Sequence, residues 1–177
     1  MPTIQPCGLP AGALLHKYRA QGAYTDCYAT QVAWRVSQSE YVEAFYTTAV
    51  FKLERWLLRW LVSRPSSDAE ARQLASGALD SFAAWSVEGQ TAEQLLLCDL
   101  RGDTRSWLMA VPIENDDLTE GTRLYFGSAV VPVVSARSGK ATLGFAYRSL
   151  LGFHKLYSRV LLRAARSRLA RRRPAAS

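Results

Sequence analysis

Three carboxylates near predicted apolar surfaces, Asp26, Glu88 and Asp99, are the side chains of this sequence best suited to acid–base chemistry. A carboxyl group withdrawn from water holds its proton more tightly and can act as a general acid or base. A cyclase or dehydratase reaction uses such a group. Most carboxylates in proteins are exposed or paired with a cation, so the sequence leaves open whether this protein is an enzyme.

A binding site for a small molecule is predicted on one face of a hairpin. The wall of this site is mostly apolar with a polar side chain at each end, and its residues are Gln94, Leu96, Cys98, Arg105, Trp107 and Met109. This composition is typical of ligand pockets and equally of an ordinary core. On such a face Arg105 requires an anionic partner, either a carboxylate or phosphate of a ligand or an internal carboxylate, and we expect the internal one.

The spacing of the remaining reactive residues does not support metal or nucleotide chemistry. His16 and His154 are the only histidines, and neither has Cys, Asp or Glu at ligand spacing. Cys7, Cys27 and Cys98 form no CxxC motif, which argues against a disulfide framework and predicts reduced thiols. A GxSxG motif and a glycine-rich phosphate loop are both absent from the sequence. We therefore expect neither a metal nor a cofactor.

The net charge of +7 comes from the C-terminal end of the chain. Residues 145–173 hold nine of the 22 basic residues and no acidic one, which leaves 13 basic and 15 acidic residues before them. A polybasic end can bind an anionic membrane surface or RNA, or can simply be solvated. The arginines concerned are Arg163, Arg166, Arg168, Arg171, Arg172 and Arg173. Beyond Arg163 we expect the chain to project from the body. No helix-turn-helix, zinc-finger or RNP pattern predicts sequence-specific nucleic-acid binding.

Targeting and membrane signals are not evident in the sequence. The first 15 residues lack the positive start and long apolar run of a secretory signal. The most apolar stretch, residues 50–62, is 13 residues long and carries four charged side chains, too short and too charged to span a bilayer. We expect a cytoplasmic protein without a transmembrane helix.

Apolar periodicity predicts a single α+β domain over residues 1–170, followed by a basic, disordered tail over 171–177. The predicted strands are residues 22–36, 82–88, 93–100, 104–113 and 122–134. The predicted helices are residues 39–63, 67–80 and 142–173. The first two helices each begin with a capping box, a Ser followed three residues later by Glu. Tyr46 and Thr47 interrupt the apolar pattern of the first helix, so we expect them on the surface.

The register of the predicted hairpin has a consequence for assembly. Gly102 and Asp103 are predicted to form a two-residue turn in which the glycine has a positive φ, and this turn places Cys98 opposite Trp107. Both faces of the hairpin are then mainly apolar, so both require cover. We expect the last helix to cover one face, and either a second layer or a partner subunit to cover the other. The sequence thus favours a homodimer as one solution.

The order of a strand, two helices, antiparallel strands and a long final helix resembles the helix-grip fold of the START-like superfamily, which includes polyketide cyclases and lipid-transfer proteins. The likeness covers residues 14–170 and departs from the family in showing five or six strands instead of seven and in the length of the first helix. Residues 82–112 and 121–132 also look like uncharacterised bacterial domains of unknown function.

The resemblance implies a curved antiparallel sheet of five to seven strands packed on the C-terminal helix, with two helices inserted after the first strand. It also implies an apolar cavity between the sheet and that helix. We expect this cavity to bind a small hydrophobic ligand, such as a lipid, polyketide, isoprenoid or aromatic molecule, with the hairpin face of Arg105 and Gln94 turned toward the helix to orient the polar end of the ligand. The alternatives are a cyclase or dehydratase reaction in the same cavity, and binding of an anionic membrane or RNA through the arginine-rich end.

Overall fold

An antiparallel sheet organises the chain in the computed structural model, which describes residues 3–53, 66–114, 120–131, 133–134, 141–142 and 145–172. Within these residues seven strands form one sheet in the order β1-β2-β7-β6-β5-β4-β3. The strands are β1 (Gln5–Pro6), β2 (Tyr24–Val32), β3 (Ser81–Phe82), β4 (Trp85–Gln90), β5 (Gln94–Asp99), β6 (Thr104–Glu114) and β7 (Glu120–Val130). Two further short strands, β8 (Val133–Val134) and β9 (Ala141–Thr142), pair with each other.

The helices in the described part of the chain confirm the α+β class. They are α1 (His16–Ala20), α2 (Gln38–Tyr46), α3 (Asp68–Ala75) and α4 (Phe145–Arg172). The sheet and the long C-terminal helix are compatible with a helix-grip-like fold. The sheet has more strands than the five or six counted in the sequence, because β1 and β3 are two residues long and leave no detectable alternation.

The two predicted capping boxes are confirmed. Ser37 Oγ accepts a hydrogen bond from the backbone N–H of Glu40 at 3.2 Å, and Glu40 Oε2 accepts one from the N–H of Ser37 at 2.8 Å. Ser67 and Glu70 form the same pair of bonds at 3.2 and 2.6 Å. Each box satisfies backbone donors that the first turn of a helix leaves free, which fixes where α2 and α3 begin.

The predicted helix over residues 39–63 is interrupted. It ends at Tyr46 and is helical again over residues 49–53, while residues 54–65 lie outside the described part. Thr47 Oγ1 donates to the carbonyl oxygen of Glu43 at 2.6 Å, and Thr48 Oγ1 accepts from the N–H of Phe51 at 3.2 Å. Such side-chain bonds compete with the helical ladder. The expected surface position of Tyr46 and Thr47 is wrong, because each is only 1% exposed.

The predicted register of the β5–β6 hairpin is wrong by two residues. Cys98 lies opposite Arg105, and Leu96 lies opposite Trp107. The loop is longer than two residues because Asp99 Oδ1 accepts the backbone N–H of Asp103 at 2.8 Å, while Gly102 has the predicted positive φ of 75°. A shift of two residues leaves every side chain on its predicted face.

The sheet has a core on each face. The larger core packs against α2, α3 and α4, and its most deeply buried side chains include Tyr41, Phe45, Leu74, Leu95, Leu97, Leu108, Leu124 and Leu162. The smaller core lies on the opposite face beneath residues 9–23, and its buried members are Ala13, Leu15, Tyr18, Cys27, Leu96, Trp107, Met109 and Ala129. The N-terminal part of the chain is therefore the second layer that the apolar hairpin requires. The chain covers both hairpin faces itself, so neither face requires a partner subunit as cover. A homodimer stays a prediction.

Candidate functional site

A row of polar side chains crosses the central strands on the face that packs against the helices. Asp26 on β2 lies opposite Ser128 on β7, which in turn lies opposite Ser106 on β6. Ser128 Oγ donates to Asp26 Oδ1 at 2.6 Å, and the backbone N–H of Ser128 donates to the same oxygen at 3.1 Å. The hydroxyl groups of Ser106 and Tyr46 are 3.2 Å apart and share a hydrogen bond. These contacts place hydroxyl groups where the neighbouring rows of the sheet carry leucine and phenylalanine.

A cavity of about 180 Å³ lies between this polar row and α4. Its walls combine aromatic rings and aliphatic groups with several hydroxyl groups. The lining residues are Phe45, Phe51, Trp85, Thr104, Arg105, Ser106, Phe126, Ser128, Tyr157, Ser158 and Leu161. The cavity is bounded by β4, β6, β7, α2 and α4, so it occupies the place between sheet and C-terminal helix.

The size and lining of the cavity define what it can hold. Ligand pockets for larger molecules measure about 300 Å³ or more, whereas a cavity of about 150 Å³ accommodates a benzene ring. The volume of about 180 Å³ therefore suits one small ring. The hydroxyl oxygens of Ser106, Ser128 and Ser158 can accept a hydrogen bond from a polar substituent on that ring. The indole N–H of Trp85, another lining residue, is buried and has no hydrogen-bond partner within the described residues.

A second polar cluster lies at the edge of the opposite face and contains Arg105. Its Nε donates to Glu88 Oε2 at 2.7 Å and to the hydroxyl oxygen of Tyr18 at 2.8 Å. Glu88 Oε1 also pairs with Lys17 and accepts from the Tyr18 hydroxyl. The guanidinium group lies 4.6 Å from the centroid of the Tyr18 ring, within cation–π range. The expected internal partner of Arg105 is confirmed.

Glu88→Gln is expected to reduce the loss of stability in acid. Partial burial raises the pKa of Glu88, but hydrogen bonds from Lys17, Tyr18 and Arg105 outweigh it and hold the pKa below its ordinary value of 4.5. A carboxylate whose pKa is lowered by folding stabilises the protein above its unfolded pKa, and this contribution is lost as the pH falls through the folded pKa. The midpoint of urea denaturation, measured from about pH 3 to about pH 7, should fall more steeply in the native protein than in the variant.

The exposed Glu93 supplies the matched control for this measurement. Glu93→Gln should keep the acid-side slope of the native protein. Equal slopes for the native protein and Glu88→Gln would show that this cluster does not couple to folding.

The predicted binding wall lies under the N-terminal segment and not under the C-terminal helix. Gln94 Oε1 accepts hydrogen bonds from Trp107 Nε1 and from the backbone N–H of Leu14, both at 2.9 Å, and Gln94 Nε2 donates to the carbonyl oxygen of Gly12 at 3.1 Å. Both predicted polar ends, Gln94 and Arg105, thus hold residues 9–23 against the sheet. The expectation that this face meets α4 is wrong, and ligand binding by its residues stays a prediction.

The three candidate carboxylates are distributed over three places. Asp99 caps the β5–β6 loop through the N–H groups of Asp103 and Thr104, at 2.8 and 3.2 Å. Glu88 belongs to the Arg105 cluster, and Asp26 belongs to the polar row beside the cavity. The structure therefore does not bring the three together, although each contacts a residue that lines the cavity. Asp26 contacts Ser128, Glu88 contacts Arg105, and Asp99 accepts from the N–H of Thr104.

The arginine-rich end of α4 remains packed against the body. Ala165 is fully buried, and Leu169 is 6% exposed. Arg172 Nη2 lies 3.0 Å from Glu43 Oε1, and Arg171 is exposed. The expected projection beyond Arg163 is wrong, because the apolar stripe of α4 continues to its last turn. Residues 173–177 lie outside the described part, and membrane or RNA contact through this end stays a prediction.

Metal-ligating side chains do not cluster in the described part of the chain, where no three His, Cys, Asp or Glu side chains are grouped to hold a metal ion. The side chain of His154 lies outside the described residues. None of the described helices is both long and apolar enough to cross a membrane. A cytoplasmic location stays a prediction.

Sequence reasoning missed the residues that line the cavity, although one signal points to them. Ser106 and Ser128 stand on strand faces whose buried side chains include Leu108, Ala110, Leu124 and Phe126. Small hydroxyl residues inside an otherwise apolar strand face indicate either a polar contact or a ligand. Comparison of the chain with protein-family models, with curated proteins and with solved structures gives no match.

Proposed function

We propose that this protein binds a small aromatic molecule carrying one polar group, in the cavity between the sheet and α4. The observation that supports this most is the pairing of a cavity of about 180 Å³ with a polar row at its base. The hydrogen bonds to Tyr46 and Asp26 offset the cost of burying the hydroxyl groups of Ser106 and Ser128, and each oxygen atom can still accept a hydrogen bond from a ligand. Hydroxyl groups that line a space of this size favour recognition of a ligand.

The aromatic lining supports the choice of ligand class. The ring centroids of Phe45 and Phe126 are 4.8 Å apart, and those of Phe45 and Phe51 are 6.4 Å apart. The planes of these pairs are tilted by 42° and 50°, and aromatic rings at such separations attract one another, as a ring of a ligand would be attracted. Larger lipids and polyketides exceed a volume of about 180 Å³, so the proposal narrows the expected ligands to single-ring molecules.

The helix-grip resemblance supports the location. In that fold of the START-like superfamily, the space between sheet and final helix is where a ligand is expected. We therefore retain membership of the superfamily as part of the proposal. The binding proposal does not require catalytic turnover. An acid–base reaction in this cavity would use Asp26, whose Oδ1 contacts Ser128 Oγ at 2.6 Å.

Phenol is the probe that tests this proposal, since it combines one ring with one hydroxyl group. Titration followed by calorimetry should show saturable binding to the native protein. Ser106→Leu places a branched apolar side chain at the base of the cavity and should weaken phenol binding at least about tenfold, or about 1.4 kcal/mol. Ser158→Leu, which approaches from α4, should have the same direction of effect.

A matched control separates loss of the site from loss of the fold. Ser86 is exposed on β4, so Ser86→Leu makes the same replacement away from the cavity and should leave phenol affinity unchanged. Thermal unfolding checks that each variant is folded. Absence of saturable binding, or equal affinities for the native protein and both cavity variants, would contradict the proposal.

A further inference from the structure

Two of the three cysteines meet across the edge of the sheet. Cys7 follows β1 directly, and its backbone N–H donates to the carbonyl oxygen of Cys27 on β2 at 3.0 Å. The two Sγ atoms are 3.3 Å apart. We propose that Cys7 and Cys27 form a dithiol that is reversibly oxidised to a disulfide by exchange with a small disulfide that carries carboxylate groups. The two cysteines are 20 residues apart in the sequence, so their spacing does not indicate that they pair.

The backbone geometry suits the bond. The β1–β2 register pairs Gln5 with Ala29 and Pro6 with Tyr28, so the next pair outward is Cys7 with Cys27. Directly opposed residues that share a backbone hydrogen bond in an antiparallel ladder have Cα atoms about 5.5 Å apart. Disulfides span Cα separations of about 4.4 to 6.8 Å. The sulfur atoms can therefore bond without a rearrangement of the sheet.

The two thiols differ in accessibility, which assigns their roles. Cys7 is exposed, whereas Cys27 is buried and only 5% exposed. The hydrogen bond with Cys27 lowers the pKa of Cys7, burial partly offsets this, and the charge of Arg123 lowers it further. The same hydrogen bond and burial raise the pKa of Cys27. Because the thiolate is the nucleophile, Cys7 is the attacking residue and Cys27 the resolving residue.

A groove of about 390 Å³ beside Cys7 indicates the class of oxidant. Arg123 lines the groove and is exposed. With its amide oxygen turned toward this guanidinium group, Gln31 accepts from Arg123 Nη2 at 2.6 Å and from Nε at 3.1 Å, which positions the cation beside the thiol. A guanidinium group binds carboxylates well. This contact favours a small disulfide with carboxylate groups over a neutral one.

The oxidation consists of two successive thiol–disulfide exchange steps. The Cys7 thiolate attacks one sulfur of the small disulfide, forms a mixed disulfide and releases one small thiolate, which takes a proton from water. Cys27 then gives its proton to water and attacks the Cys7 sulfur, which breaks the mixed disulfide and releases the second small thiolate, which also takes a proton from water. The protein loses two thiol hydrogens, and the small disulfide is reduced to two thiols. Excess small thiol reverses both steps.

Glutathione disulfide is the probe for the test. The reduced full chain is equilibrated in buffers with an increasing ratio of glutathione disulfide to glutathione. The reaction is quenched with an alkylating reagent, and the mass of the intact protein is measured by mass spectrometry. The native protein should lose about 2 Da before alkylation and retain one alkylatable thiol, Cys98. Cys27→Ala should stop at the mixed disulfide and gain one glutathionyl group on Cys7. Cys7→Ala should form neither product, and Cys98→Ala should oxidise as the native protein does.

Arg123→Ala tests the assigned class of oxidant. It raises the pKa of Cys7 and so slows exchange with any disulfide, but it should slow the reaction with glutathione disulfide at least about threefold more than the reaction with the uncharged disulfide of 2-mercaptoethanol. Retention of three alkylatable thiols in the most oxidising buffer would overturn the proposal, as would a disulfide that involves Cys98. An equal effect of Arg123→Ala on both reagents would overturn the role of the carboxylate. Peptide mapping of the product identifies the linked cysteines in every case.

Discussion

Trp107→Ala is expected to lower the free energy of unfolding by about 3–5 kcal/mol. The Trp107 side chain is fully buried in the smaller core, where residues 9–23 lie against the sheet. Its removal deletes a large apolar contact area and leaves space that Leu15 and Met109 cannot fill without moving. It also removes the donor that reaches Gln94 Oε1 at 2.9 Å.

Urea denaturation followed by circular dichroism measures this loss, and Trp107→Phe provides the comparison. Phenylalanine keeps most of the buried ring but not the N–H donor, so it should cost clearly less than alanine. Exposed substitutions change stability by about 0.5 kcal/mol or less. A loss this small for Trp107→Ala would contradict the position of residues 9–23 on this face.

Gly127→Ala is expected to cost about 1–3 kcal/mol through overpacking. A Cβ atom at position 127 would lie 2.8 Å from the carbonyl oxygen of Asp26, 2.9 Å from Leu15 Cδ1 and 3.0 Å from Trp107 Cε3. The carbonyl oxygen belongs to β2, which pairs with β7, so it can move only if the two strands separate. The requirement for glycine at this position arises from close approach.

Gly8→Ala is the matched control, because a Cβ atom there meets nothing within 4 Å. Its effect on unfolding should stay within about 0.5 kcal/mol. Both variants are compared by urea denaturation under the same conditions. Equal stability of the two variants would contradict the tight approach of β2, β7 and the N-terminal segment.

Local signals in the sequence predicted the elements well. The capping boxes at Ser37 and Ser67 place the starts of α2 and α3, because each depends on side chains only three residues apart. Alternation placed Leu96 and Trp107 on one face of the hairpin and Leu97 and Leu108 on the other. A period of two depends on the pleat alone, so this assignment survived an error in register.

Features that depend on distant contacts were not predictable. The hairpin register changed because the Asp99 side chain organises the loop, and alternation contains no trace of that bond. Residues 9–23 show little periodicity, so nothing local identified them as the cover for the Trp107 face. Tyr46 carries a polar hydroxyl group and yet is buried, because this group shares a hydrogen bond with Ser106 on β6.

The position of the cavity in the fold was predictable only in general terms. A space between the sheet and the last helix was expected, and a cavity lies there. The residues chosen for its wall, Gln94 and Trp107 among them, lie on the other face, and of that wall Arg105 alone also lines the cavity. Arginine and tryptophan are readily proposed as site residues from a sequence. Ser106 and Ser128 become candidates only once the strand register places them beside Asp26. Identifying such a row requires the strand order, which places β7 between β2 and β6.

The most direct test of the proposed binding site is a crystal structure of the native protein soaked with para-iodophenol, using the anomalous signal of iodine to locate the ring. We expect an iodine peak between the sheet and α4, within contact distance of Phe126 and Leu161, with the phenol oxygen near Ser106 or Ser128. The same soak of Ser106→Leu should lack this peak. Iodine found only at other places, or an equal peak in the variant, would contradict the proposal that this cavity binds the ligand.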